Sequence, residues 1–129
     1  MDLDRAMIEH GNIKFQFRSA IAKKQQIEID VIASDCHCEL GRWLNREGQG
    51  KHGALPAFRA LLQTHRDFHK LAGRVAVMVN EKRYNAVDVA ISGDTSYVRA
   101  SQAMGRAAFQ LKQTLKHQSG APRRQRIEV

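Results

Sequence analysis

Long apolar runs are missing from this chain: no stretch of about 18 uninterrupted apolar residues occurs, so no segment reads as a transmembrane helix. A secretory signal is missing too, because the N-terminus, MDLDRAMIEH, carries acidic residues where such a signal needs a basic start and an apolar core. Two cysteines in 129 residues make no disulfide framework, and a domain of this length buries enough core to do without one. The expectation is a cytoplasmic chain whose thiols stay reduced and serve as ligands or reactive groups. Strand signals are nearly absent. Residues 25–33, QQIEIDVIA, alternate apolar and polar, but no second strand exists to pair with them. They read as an extended connection that packs Ile27, Ile29 and Val31 onto helices.

Acidic residues are scarce in the second half. Residues 1–50 carry 7 Lys/Arg against 8 Asp/Glu, a net of −1, whereas residues 51–129 carry 14 against 5, a net of +9. Part of this excess is the stretch from Lys116 to Val129, where Ser119-Gly120-Ala121-Pro122-Arg123-Arg124-Gln125-Arg126 shows no periodicity. The chain therefore divides into a helical domain over 1–117 and a basic, disordered tail over 118–129. Three arginines without interleaved aromatics form a weak nucleic-acid footprint, and no helix-turn-helix signature accompanies them.

What is present is helical periodicity. Phe58, Leu61, Leu62, His65, Phe68, His69, Ala72, Val75, Ala76 and Val79 recur at the spacing of one helix face, with Arg59, Arg66, Lys70 and Arg74 off it. A first helix is expected from near Asp4 to Lys24, burying Met7, His10, Ile13, Phe17, Ala20 and Ile21. Asp2 and Asp4 favour its positive end. Ser34 or Asp35 is expected to cap a short helix running to about Arg46, and Gly48 and Gly50 to stop it. The long helix begins near Leu55 with Pro56 in its first turn, and continues or bends near Asn80. A segment follows to Ile91, Ser92-Gly93-Asp94 marks a break, and a last helix spans about Thr95 to His117. Its Tyr97, Ser101, Met104, Ala108, Leu111 and Leu115 form a bundle seam or part of a dimer interface. The fold class is all-α: a four-helix bundle with a short extra helix.

The inward histidines carry the chemistry. A buried imidazole must satisfy two ring nitrogens, by hydrogen bonds or by a metal on one and a second oxygen on the other. His65 and His69, at i and i+4, are close enough for one cation to bridge, although hydrogen-bonded core histidines fit the same spacing. His10 and Cys38 are also inward, from two other helices. Three imidazoles and one thiolate make a closed tetrahedral set suited to zinc, with no vacant position for substrate. Such a set binds or senses; it is not a catalytic centre, and no enzyme activity is expected. His37, His52 and His117 read as surface residues, and Asp67, between the paired histidines, as a solvated carboxylate able to orient one of them.

His10-Gly11-Asn12-Ile13-Lys14, Cys38-Glu39-Leu40-Gly41-Arg42-Trp43-Leu44, Leu55-Pro56-Ala57-Phe58 and His65-Arg66-Asp67-Phe68-His69 together resemble the chemoreceptor zinc-binding domain family. The resemblance covers residues 7–76 and is looser to about 117. It departs at Ile13, where members usually carry an aromatic residue. It implies Zn²⁺ held by His10, Cys38, His65 and His69 in a helical bundle, between the first, second and long helices. It further implies a homodimer, a response to zinc or to oxidation of the ligand cysteine, and a role in bacterial chemotaxis or cyclic-di-GMP signalling. A chain of 129 residues leaves no room for an output domain, so the expected partner is a separate protein of a chemoreceptor or diguanylate cyclase pathway.

The switch argument rests on Cys38, in the first turn of a short helix where the dipole and a bound cation favour thiolate. Cys36 can resolve an oxidised Cys38 in principle. In a helix, though, residues i and i+2 point to different sides, so Cys36 reads as a bystander.

Other classes fit less well. A zinc protease needs His-Glu-x-x-His, but Arg66 follows His65. A di-iron bundle needs bridging carboxylates that the inward stripes lack. The remaining alternative is a purely structural zinc in a protein-interaction or nucleic-acid-binding module that uses the basic second half.

Overall fold

Every regular element among the described residues is a helix in this computed structural model, which covers residues 1–118 with their side chains and the backbone as far as Glu128. In chain order these are α1 (Leu3–Gly11), α2 (Ile13–Lys23), α3 (Ile29–Ala33), α4 (Glu39–Asn45), α5 (Glu47–His52), α6 (Pro56–Asn80), α7 (Tyr84–Ser92) and α8 (Ser96–Glu128). The basic tail expected over 118–129 lies, beyond its first residue, outside the fully described residues.

Helix α6 is the spine. Its apolar stripe is buried as its spacing requires, with Phe58, Leu61, Phe68, Ala72 and Ala76 fully enclosed, and Pro56 opens it at the first position. It packs most extensively on α8, whose Met104, Ala108 and Leu111 are buried against it. Tyr97 joins this seam to α2, its ring 6.1 Å from that of Phe17 and 5.3 Å from that of Phe68. After Asn80 the chain reverses through Lys82 (φ 62°) into α7, which adds Val87 and Ile91 to the core.

The single helix expected from Asp4 to Lys24 is two. Asp2 caps α1 by accepting from the Arg5 N–H at 3.0 Å. The helix then breaks at Asn12, following Gly11, a pair with poor helix propensity. Beyond α2, residues 25–28 lie outside any helix or strand, but Ile29–Ala33, expected to belong to an extended connection, close into a helical turn, with Ile32 N–H donating to Glu28 C=O. Lacking a partner strand, an extended segment leaves backbone donors unsatisfied; a turn of helix supplies a partner internally. The change of period also moves the side chains. Ile27, Ile29 and Ile32 pack on the core, while Val31, expected inside, is exposed.

Residues 25–38 form a strap along α6, held by one contact after another. Asn80 clamps Ile27, its Oδ1 accepting from Ile27 N–H at 2.8 Å and its Nδ2 donating to Ile27 C=O at 2.9 Å. Gly73 lets α3 approach closely: a Cβ there would lie 2.6 Å from the Ala33 Cβ. The His69 ring reaches the Ile32 carbonyl, and Arg66 pairs with Asp35 at 3.1 Å. The strap ends at Cys38.

Neither Ser34 nor Asp35 caps the next helix. Cys38 does, its Sγ accepting from the Gly41 N–H at 3.3 Å. Helix α4 ends at Asn45, close to the expected Arg46, but Gly48 and Gly50 are not what stops it, since both lie inside α5 after a break at Arg46. Gly48 is buried beneath Trp43, where a Cβ would meet the indole at 2.9 Å, so its small size serves packing rather than termination.

Candidate metal centre

Three elements deliver four donors to one point. His10 comes from the last turn of α1, Cys38 from the N-cap of α4, and His65 and His69 from successive turns of α6. The three imidazoles are buried, His65 completely, and the thiol is half-buried. The structure thus brings together all four residues singled out from the sequence.

The facing atoms are the three Nε2 atoms and Sγ. His10 Nε2 lies 3.2 Å from His69 Nε2 and 3.2 Å from His65 Nε2; Cys38 Sγ lies 3.2 Å from His65, 3.5 Å from His10 and 3.7 Å from His69. In tetrahedral zinc sites, Zn–N of about 2.0–2.1 Å and Zn–S of about 2.3 Å set N···N edges of roughly 3.3 Å and N···S edges of roughly 3.6 Å. These five separations, 3.2–3.7 Å, lie within about 0.4 Å of those edges, and all four donor atoms lie within 4.8 Å of one another.

The proton inventory makes the same point. His10 Nδ1 lies 2.7 Å from the Ala6 carbonyl and His69 Nδ1 2.8 Å from the Ile32 carbonyl. A carbonyl only accepts, so both Nδ1 atoms carry the proton, and in neutral rings both Nε2 atoms present lone pairs. Those lone pairs face each other at 3.2 Å and cannot hydrogen-bond to one another. Burial keeps the rings neutral. It lowers the pKa of His10 and of His69 against the opposing pull of their carbonyl bonds, and it lowers His65 to about 3, helped by the two neighbouring histidines. A cation relieves this convergence of lone pairs; a proton is disfavoured by the burial. His65 Nδ1 is the one buried side-chain nitrogen or oxygen among the described residues without a hydrogen-bond partner.

At Cys38 the balance differs from the sequence expectation. Burial raises the thiol pKa and outweighs the Gly41 and Leu40 N–H groups and the charge of Arg42, so without a cation the group is a thiol rather than a thiolate. The helix end contributes in the expected direction but is too weak alone.

Gly41 is essential to this geometry. A Cβ there would fall 1.8 Å from the Asp35 carbonyl oxygen and 3.2 Å from His65 Cε1. The residue therefore lets the strap fold back over the start of α4 while the imidazole approaches from below. Asp35 is held by Arg66. Burial works against its ionisation, and the Arg66 hydrogen bond and charge more than offset it, leaving the carboxyl below its ordinary range.

The minor candidates fall elsewhere. Asp67 orients no histidine; it is exposed and accepts from Gln63 Nε2 at 3.0 Å. His52, expected on the surface, is half-buried with its ring 6.0 Å from Trp43. His37 and His117 are exposed. The groups that aim the His10 and His69 rings are the Ala6 and Ile32 carbonyls, which sequence reasoning missed. Ala6 was findable as the residue four before His10 on one helix; Ile32 required the strap.

A cleft of about 280 Å³ reaches the cluster from outside, floored by His10, Cys38 and His69, with walls that include Ala6, Ile13, Val31, Ile32 and Leu40. Ile13 occupies the departure from the family pattern and borders this opening. No helix among the described residues is long and apolar enough to cross a membrane.

No curated protein and no solved structure matches the chain significantly. The model of the chemoreceptor zinc-binding domain matches residues 10–76, just over half of the sequence, beginning at His10 and extending past His69. With a four-donor His/Cys cluster of tetrahedral dimensions inside that span, the chain belongs to the chemoreceptor zinc-binding domain family, and zinc is its cofactor.

Proposed function

We propose that His10, Cys38, His65 and His69 are the zinc ligands, one ion per chain, and that the domain is a non-catalytic sensor whose zinc occupancy or Cys38 oxidation state is read by a partner. The observation that carries the ligand assignment is the pair of Nε2 lone pairs at 3.2 Å, held by carbonyl-bonded rings in a site that disfavours protons. When bound, zinc supplies a redox-inert positive centre whose four positions are all filled by protein donors, which leaves none for a substrate.

The ligands are held unequally. His65 and His69 sit on α6, whose stripe is anchored in the apolar core, and His10 is buried on α1. Cys38 stands at the end of the strap, half-buried and bordering the cleft. Loss of its sulfur from the site moves a loop, not the core. That supports release between two folded states rather than a purely structural ion. In the family's setting the partner is a protein of a bacterial chemoreceptor or diguanylate cyclase pathway, the location is the cytoplasm, and the domain works as a homodimer.

The test is elemental analysis of dialysed protein, wild type beside Cys38→Ala, with circular dichroism and hydrogen exchange on both. About one zinc per chain in the wild type, lost in a still-helical variant whose amide exchange rises in residues 25–38, supports a releasable sensory site. Zinc retained at full occupancy in Cys38→Ala and His65→Ala removes the ligand assignment. Collapse of helicity with loss of zinc makes the ion structural.

A further inference from the structure

Cys36 is bound to point away from Cys38 only if the two share a helix, and they do not. Residues 34–38 are outside any helix, with turns at Asp35 and Cys36 and bends at His37 and Cys38, and α4 starts only at Glu39. Bringing the two sulfurs together therefore calls for side-chain and backbone rotation within a non-helical segment, not for the unwinding of a helical turn. Cys36 is exposed and free, and its one Sγ contact is a weak donor interaction with Asp35 Oδ1 at 3.7 Å. Cys38 borders the open cleft, so its side chain has room to turn outward once its sulfur no longer faces the three imidazoles.

We infer that Cys36 is the resolving thiol of the site, closing a Cys36–Cys38 disulfide after oxidation of Cys38. This rests on the reading of Cys38 as an oxidant-responsive ligand. In the first step a peroxide transfers one oxygen to the Cys38 sulfur; the sulfur loses two electrons to become a sulfenic acid, and the peroxide leaves as water or hydroxide. In the second, the Cys36 sulfur attacks the Cys38 sulfur, the S–O bond breaks, and one water departs with the Cys36 proton. The disulfide holds Cys38 away from the histidines, which keeps zinc off. It also protects the sulfur from irreversible further oxidation, and a thiol reductant restores both residues.

The experiment uses the full zinc-loaded chain, wild type and Cys36→Ser, treated with hydrogen peroxide in the presence of dimedone and a colorimetric zinc chelator. Intact mass is read with and without dithiothreitol. Cys36 is exposed and outside the core, so the variant folds, which circular dichroism checks. Both proteins release zinc on oxidation. The wild type loses two hydrogens, gives an internal Cys36–Cys38 peptide link, resists dimedone and rebinds about one zinc after dithiothreitol. Cys36→Ser accumulates the dimedone adduct at Cys38 or proceeds to the sulfinic acid, and at least half of its zinc binding is not recovered. Equal dimedone labelling of Cys38 in both proteins, or a disulfide only between two chains, overturns the role of Cys36 while leaving the oxidant response intact. Failure of peroxide to modify Cys38 or release zinc in either protein overturns the oxidant response itself.

Discussion

The α6–α8 seam and the 25–38 strap lie on the same long helix and are held by opposite means. The seam is apolar, with Phe68, Ala72, Ala76, Met104, Ala108 and Leu111 at most 2% exposed. Fully burying one of its larger side chains is worth roughly 1.5–3 kcal/mol. The strap is held at separate polar points: Asn80 to Ile27, His69 to Ile32 and Arg66 to Asp35, with half-buried Ile27, Ile29 and Ile32 between them. A net hydrogen bond contributes about 1 kcal/mol, and the exposed Arg66–Asp35 pair less. Such a segment opens locally while the seam stays closed. One region stores stability, and the other carries Cys38, the ligand proposed to leave.

Breaking the seam has the largest expected effect. Leu111→Ala removes a fully buried side chain and is expected to cost about 2–5 kcal/mol. Urea titration should show the midpoint falling alike in zinc-loaded and zinc-free protein; a loss confined to the zinc-free form would mean that the seam is not the independent store described above.

Acid acts on the metal-free site next. All three imidazoles have folded pKa values below the ordinary 6.5, His65 near 3. Between those limits the unfolded chain binds protons that the folded chain does not, so the metal-free fold is fully stabilised above about pH 6.5 and loses stability as pH falls. The loss is about 1.4 kcal/mol per pH unit for each ring that stays neutral. Thermal denaturation of metal-free protein from pH 7 to 4 checks this, with a His65→Phe variant expected to flatten the slope.

Asn80→Ala sharpens the comparison, because Asn80 touches the strap far from the metal. Both of its bonds are lost, with an expected cost of about 1–3 kcal/mol. Hydrogen exchange should place the change in residues 25–33, and zinc affinity should fall several-fold through the loosened Cys38 while α8 keeps its protection. The smallest effect is expected at Lys82, which holds a left-handed φ of 62° as Arg83 N–H reaches Met78 C=O and Lys82 N–H reaches Val79 C=O. Lys82→Gly relieves that conformation and should stabilise the seam end by about 0.5–1 kcal/mol in urea, leaving zinc binding untouched.

The same contrast explains what could be read in advance. The α6 stripe, the α8 seam, the break after Ser92 and the inward turn of His10, His65 and His69 all follow from local periodicity, because a helix converts spacing into direction. The strap resisted that reading. QQIEIDVIA alternates like a strand, yet Ile29–Ala33 is helical, since its backbone needed partners that no neighbouring strand supplied. Gly48 reads as a stop in sequence and is a contact in three dimensions, beneath Trp43. Asp35 reads as a cap and is instead the partner of Arg66.

By itself the sequence determined the helical class, the direction in which three histidines point and the donor types at the centre, because these depend on residue chemistry and on spacings within one helix. The tertiary structure decided which atoms meet. The Ile32 carbonyl that fixes the His69 ring, the Gly41 gap beneath Asp35, the Cys38 cap and the freedom of Cys36 all come from segments distant in sequence or from backbone atoms that every residue shares. Periodicity carries no record of such contacts. They are set only when the strap closes on α6.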